Sequence, residues 1–285
     1  MRHAFAFLVL GALACGGSGD ATDAGPDVVY GKKPIDAGEG TYEAEAAAKT
    51  PLNRLTLHGG SVLSGAHVRA IYVGEPGVDG SQNFDGYLSW LVTSTDYWGA
   101  YLAQYGVGYE IYDGATEVDA AAFFPPGMVV NGMIDWYVLE NRLRDVIHGV
   151  TSGDAGADAS DDDAGDAATL PPIPSADAYI LFLPNGVNVN LGDGATCQNA
   201  GGYHSYDQIE PYAVIPECGR YGLVLSHEMA EMATDPLPGN GWYSDADENN
   251  GGGEIGDLCN SLAQVDNKQV TQLWSNQDGD CEPPN

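Results

Sequence analysis

The sequence predicts a single mixed α/β domain over residues 52–285, an α+β arrangement built on a mixed sheet. Three observations carry this. Short apolar, β-branched runs alternate with longer segments whose apolar residues recur at helical spacing. No segment repeats another. Four cysteines in the last third of the chain, Cys197, Cys218, Cys259 and Cys281, are an even number suited to two cross-links.

The elements follow in order. Residues 1–15, "MRHAFAFLVLGALAC", have a basic start, an apolar run too short to span a bilayer, and small residues before a cysteine. This predicts an export signal with a candidate lipobox, lipidated at Cys15; an ordinary cleaved signal that removes Cys15 is the alternative. Residues 16–51 are rich in Gly, Ala and Asp and poor in large apolar side chains, so they predict a disordered acidic tether. "AHVRAIYVGE" (66–75) predicts a buried strand, and 82–104 carries apolar residues at helical spacing over two helices. "YEIYDG" (109–114) predicts a short strand. Residues 131–150 predict an amphipathic helix with Ile134, Val138, Leu139, Leu143, Val146 and Ile147 inward and His148 at its C-terminal end, where the helix dipole favours a cation. A tract of aspartates and prolines at about 151–176 predicts a disordered insertion. "DAYILFLPNGV" (177–187) and "PYAVIPEC" (211–218) predict two more buried strands, and "YGLVLSHEMAEMA" a helix stopped by Asp235 and Pro236.

Bulk charge excludes some functions. With 41 acidic and 10 basic residues the formal charge is −31, so the phosphates of nucleic acid or of an anionic membrane would be repelled. Membrane association is expected only through a lipid on Cys15, and the location is a cell-envelope lipoprotein or extracellular. In an exported chain the four later cysteines read as disulfides, with three connectivities open; their grouping favours Cys197–Cys218 and Cys259–Cys281. A zinc site of four thiolates competes, although no C-x-x-C pair is present. There is no P-loop and no G-x-S-x-G elbow.

The chemistry concentrates in "SHEMAEMATDP" (226–236). Zinc peptidases carry H-E-x-x-H on a helix, two imidazoles holding the metal and the glutamate acting as base. Here Glu231 stands where the second histidine would be. Taking His227 as zero on a helical wheel, Glu231 lies at about 40°, Asp235 at about 80° and Glu228 at about 100°, so the four share one arc. The plain alternative is a surface helix whose polar face meets water. "GEIGDLC" then supplies Glu254 and Asp257 at a distance typical of a third zinc ligand and of an aspartate that orients a ligating histidine. The expected ligands are His227, Glu231 and Glu254, supported by Asp235 and Asp257, with Glu228 as catalytic base. His204, in "GGYHSYD", is a surface residue, a ligand, or a hydrogen-bond donor to a developing oxyanion. Zinc is the first expected metal; the carboxylates also suit calcium or manganese. The segment from Asp245 fails as an EF-hand because Asn250 and Gly256 fall where Gly and Glu are required, although Asp245, Asp247 and Asn249 could form an irregular calcium site. His58 and His67 are expected to be structural.

"LTLHGGSVLSGAHVRAIYVG", "AYILFLP", "CQNAGGYHSY", "YAVIPEC", "LVLSHEMAEMATDPLPGNGWYSDADENNGGGEIGDLC" and "LWSNQDGDC" together resemble, in order, the EXORDIUM or phosphate-induced protein family. The resemblance covers about 55–285 and is weak between about 80 and 175. It implies an extracellular protein, linked in plants to growth responses, with no firmly assigned reaction. The matching positions are His227, Glu228, Glu231, Asp235, Pro236, Glu254 and Asp257. The expectation is therefore a zincin-like domain in an exported metal-binding protein. One reading makes it a metallohydrolase acting on a peptide or cell-envelope (glycan) substrate. Others are a binding or signalling protein with a structural metal, or a metal-free protein whose acidic cluster takes a cationic or polyhydroxyl ligand.

Overall fold

Strands whose side chains are apolar on both sides need cover on both sides, and this chain supplies it with helices. The computed structural model describes residues 54–74, 84–149, 170, 173–192, 194–206, 210–244, 253–259 and 261–284. The export signal, the tether, most of the insertion and the calcium candidates Asp245, Asp247 and Asn249 lie outside them. The elements in chain order are β1 (Thr56–Leu57), β2 (His67–Val73), α1 (Phe84–Leu91), α2 (Trp98–Leu102) with a 3-10 turn (Ala103–Tyr105), β3 (Ile111–Val118), α3 (Ala120–Phe123), β4 (Met133–Asp135), α4 (Trp136–His148), β5 (Ala178–Phe182) and β6 (Asn188–Asn190). Then come β7 (Tyr203–Ser205), β8 (Tyr212–Ile215), α5 (Tyr221–Thr234), β9 (Trp242–Tyr243), β10 (Leu262–Val265), β11 (Lys268–Thr271), β12 (Leu273–Ser275) and β13 (Asp280–Glu282).

The protein is thus a mixed α+β fold. Its central sheet runs β3-β2-β5-β8-β7, parallel except for the edge strand β7, which is antiparallel to β8. Alternation divides the core. Val68, Ala70, Tyr72, Ile180, Phe182, Ala213 and Ile215 face α1, α2 and α5, meeting Leu88, Leu91, Trp98, Leu225 and Met229. Their neighbours Ile71, Val73, Leu181 and Val214 face Phe123 of α3 and Leu139, Leu143 and Val146 of α4.

Helix α4 starts later than the apolar spacing suggests. Asp135 caps it, its side chain accepting from the Tyr137 amide at 3.0 Å, and residues 133–135 pair with β6 instead. Val138, expected inward, is 39% exposed, because the buried stripe runs through Leu139, Leu143 and Val146 and takes in Arg142. The Arg142 guanidinium donates to the carbonyls of Phe123 at 2.8 Å and Ala122 at 2.6 Å, closing the end of α3.

Two disulfides are formed, Cys197–Cys218 and Cys259–Cys281. They indicate an oxidising environment. Among the described residues no helix is long and apolar enough to cross a membrane.

One buried acid lies away from the helix that carries the histidines. Glu110 takes a hydrogen bond from the Ala66 amide, while its Oε1 has no partner among the described residues. Burial raises its pKa from 4.5 to about 7, against that amide and with help from Asp177. The folded state therefore holds this proton more tightly than the unfolded chain, and stability is lost as pH rises from 4.5 through about 7. Glu110→Gln keeps the acceptor and removes the charge. Melting curves should show the variant equal to the native chain near pH 4 and about 1–2 kcal/mol more stable near pH 8, a gain of a few degrees.

Candidate metal centre

The centre is built on α5, a helix that the fold buries on nearly all sides. Its preceding strand β8 and the edge strand β7 lie along one flank and β11 along another. Ser226 ties it to β11, accepting from the Thr271 amide at 2.7 Å. Of its 14 residues only Gly222 and His227 escape full burial. The acidic arc read from the helical wheel is therefore not a wetted face: Glu228 is 6% exposed and Glu231 3%.

The three-residue strand β7 was not anticipated, and it decides where His204 goes. His204 pairs with Ala213, so it shares the sheet face covered by α5, and the small residue opposite leaves room for its ring. Its Nδ1 lies 3.7 Å from Glu231 Oε2 and 3.8 Å from Glu228 Oε2. Its Nε2 lies 3.4 Å from Glu254 Oε1. Gly202 permits this approach. A Cβ there would sit 2.7 Å from the Val214 carbonyl oxygen and 3.2 Å from Glu228 Cγ.

The segment 253–259 brings the remaining carboxylates. Ile255 is buried and its carbonyl accepts from Trp274 at 2.9 Å, and Cys259 is bonded to Cys281. The Asp257 amide donates to Glu231 Oε1 at 3.2 Å, and its carboxylate Oδ1 lies 3.3 Å from His227 Nε2. His227 Nε2 is also 3.0 Å from Glu231 Oε1. The described residues thus contain two groups able to hold a metal ion: His204 with Glu228 and Glu231, and His227 with Glu231 and Asp257.

The candidate residues of α5 and of the segment after it each have a definite place, whereas Cys15, Asp245, Asp247 and Asn249 lie outside the described residues. Asp257 stands at ligand distance beside His227, and Glu254 faces the far nitrogen of His204. Asp235 is used otherwise: its carboxylate accepts from Gly239 at 2.7 Å, Gly241 at 2.6 Å and Asn240 at 3.2 Å. It holds the turn after α5, and that turn pairs with residues 58–60. His58 stacks on Tyr243 and His67 meets Asp113 at 3.0 Å, and neither belongs to the groups able to hold a metal among the described residues. Sequence reasoning missed Gly202 and Gly256. Their signal, glycines flanking a histidine and an aspartate, is too common to single out.

The electrostatics are those of closely packed acids and imidazoles. Burial alone would lower the His204 pKa, but Glu254, Glu228 and Glu231 outweigh it and bring it up to about 10. His227 is held well above its ordinary value against burial, chiefly by Glu231 and Asp257. Burial and the neighbouring Asp257 raise Glu231 to about 7, although His227 opposes them. Burial likewise pushes Glu254 well up, with His204 pulling it back. Asp235 is raised by burial in spite of its three amides.

Comparison with protein-family models, curated proteins and solved structures gives no match. The chemistry is read from the side chains themselves.

Gly256 offers a direct probe. A Cβ at this position would meet His227 Nδ1 at 2.6 Å, its Cε1 at 2.8 Å and Glu231 Oε1 at 3.0 Å. Gly256→Ala is expected to displace the His227 ring and, if the cluster takes a divalent ion, to weaken that binding about 10-fold or more, as lost support of a ligating histidine does. Isothermal titration measures the affinity, and unchanged circular dichroism shows that the fold remains.

Proposed function

We propose that this chain is an exported metal-binding protein of the EXORDIUM type, whose α5 centre is a zincin-like hydrolytic site for a peptide or cell-envelope substrate. The observation that carries the reading is the convergence of His227, Glu231 and Asp257 from one helix and one cross-linked segment, with donor atoms 3.0–3.3 Å apart around His227 Nε2. Donors on a tetrahedral ion at zinc–ligand distances of 2.0–2.1 Å lie about 3.3–3.4 Å apart, so little rearrangement is needed.

Imidazole together with carboxylate suits zinc or manganese better than calcium, whose ligands are oxygens. A bound divalent ion would supply Lewis acidity toward a carbonyl and favour ionisation of water. Two carboxylates offset that acidity more than two imidazoles would, which makes the site a weaker polariser than H-E-x-x-H. Glu228 and His204 are the groups beside the triad able to accept or return a proton.

A structural metal is the second reading, favoured by burial. Glu231 is 3% exposed, and an ion there would fasten α5 to segment 253–259. The two readings share one requirement, a bound ion.

Elemental analysis of the mature full-length chain, after dialysis against Zn²⁺ or Mn²⁺, is expected to find bound metal that His227→Ala lowers. A chelator is expected to reduce the melting temperature by several degrees, as ligand linkage requires. No bound metal would overturn both readings. If the centre is hydrolytic, a screen of peptides and cell-wall fragments should find metal-dependent turnover that Glu228→Gln lowers about 100-fold or more. Metal binding without any such turnover would leave the structural reading.

A further inference from the structure

Glu231 presents its two oxygens to two different histidines. Oε1 is 3.0 Å from His227 Nε2, and Oε2 is 3.7 Å from His204 Nδ1. Each histidine has a second carboxylate of its own, Asp257 Oδ1 at 3.3 Å from the first and Glu228 Oε2 at 3.8 Å from the second. The result is two triads of donors that share one carboxylate. The separations around His227, 3.0 and 3.3 Å, lie near the edge of about 3.3–3.4 Å of a coordination tetrahedron with bonds of about 2.0–2.1 Å. Those around His204, 3.7 and 3.8 Å, are longer and would have to contract on binding an ion.

A second observation concerns the far nitrogen of His204, which would have to be oriented if Nδ1 held an ion. The His204 side chain is 5% exposed, yet its Nε2 makes no hydrogen bond among the described residues, and neither does Glu254 Oε1 facing it at 3.4 Å. Buried polar atoms are seldom left so. A ligating histidine ordinarily directs its other ring N–H at a carboxylate, and that is the relation in which Nε2 and Glu254 stand once Nδ1 is engaged.

Charge adds a third constraint. Glu228, Glu231, Glu254 and Asp257 are four carboxylates around two imidazoles, all at most about one-sixth exposed. Two divalent ions with neutral imidazoles balance four carboxylates fully. With all four carboxylates ionised, one divalent ion and one imidazolium leave a net negative charge in a poorly solvated place, which is costly.

We propose that the centre takes two divalent first-row metal ions, of the zinc or manganese class, bridged by the Glu231 carboxylate. One ion is held by His227, Asp257 and Glu231 Oε1. The other is held by His204, Glu228 and Glu231 Oε2, with Glu254 orienting the His204 ring. Two ions joined through a carboxylate stand about 3.5–4 Å apart in hydrolytic pairs of this kind. The proposal rests on the metal-binding reading above and gives Glu228 and His204 the role of ligands. It also accounts for a glutamate at position 231. A carboxylate can bind two ions through two oxygens, whereas a neutral histidine has one free lone pair.

The full mature chain would be loaded with Mn²⁺, freed of excess metal, and measured for ions per chain and by electron paramagnetic resonance. The expected result is two ions per chain with an exchange-coupled spectrum. Asp257→Asn and Glu228→Gln should each reduce this to one ion with an uncoupled signal. Glu231→Gln should abolish the coupling; circular dichroism identifies any variant that fails to fold, and the two flanking variants then carry the test. A single ion in the native chain would overturn the two-ion centre and leave the metal-binding function standing. No ion would overturn both. Two uncoupled ions unaffected by Glu231→Gln would place the second one elsewhere on this acidic chain and would also sink the proposal.

Discussion

The carboxylate of Glu231 is the interaction on which the centre depends. It belongs to a helix that fills the space between the central sheet and the β10–β11 hairpin, so it has almost no access to water. An ionised acid in such a place needs partners, and the fold brings them from three directions: His227 from the same helix, His204 from an edge strand, and the Asp257 amide from a cross-linked segment. Remove that carboxylate and the other groups lose the point about which they are arranged.

The helix itself was plain in the sequence, because Leu223, Leu225, Met229, Ala230 and Ala233 recur at its period and Pro236 ends it. The parallel strands β2, β5 and β8 were equally plain, being short continuous apolar runs. Strand β7 was not. Three residues after a pair of glycines give no periodicity, and their conformation comes from pairing with β8, a partner that no local pattern announces. The β10–β11 and β12–β13 hairpins of the last residues were not anticipated either, although β10–β11 closes through a local turn at Asp266 and Asn267, both at positive φ. Val138 shows the opposite failure, an apolar residue at an acceptable spacing that the actual start of α4 leaves outside.

Within the centre, residue types were legible and partnerships were not. Histidine and carboxylates on one helical arc follow from spacing alone. Which of Glu254 and Asp257 approaches His227 depends on how a seven-residue segment turns, and that turn is fixed by Ile255 entering the core and by the Trp274 and Asp257 amides. The burial of the arc was also hidden, since the hairpin that covers α5 is distant in the chain. Asp235, on the same arc, is drawn off by three amides of the turn that follows it. Angular position on a helix says who is near whom, not who is already engaged.

The Cys259–Cys281 bond sits two residues beyond Asp257 and joins that segment to β13. Its closure restrains the unfolded chain, a contribution of about 3 kcal/mol for loops of this length. It has a further thermodynamic meaning. If an oxidised bridge makes the segment a better donor of Asp257, then by reciprocity an ion held there makes the bridge harder to reduce, by the same factor. Thiol state and cation occupancy would then be two readings of one equilibrium.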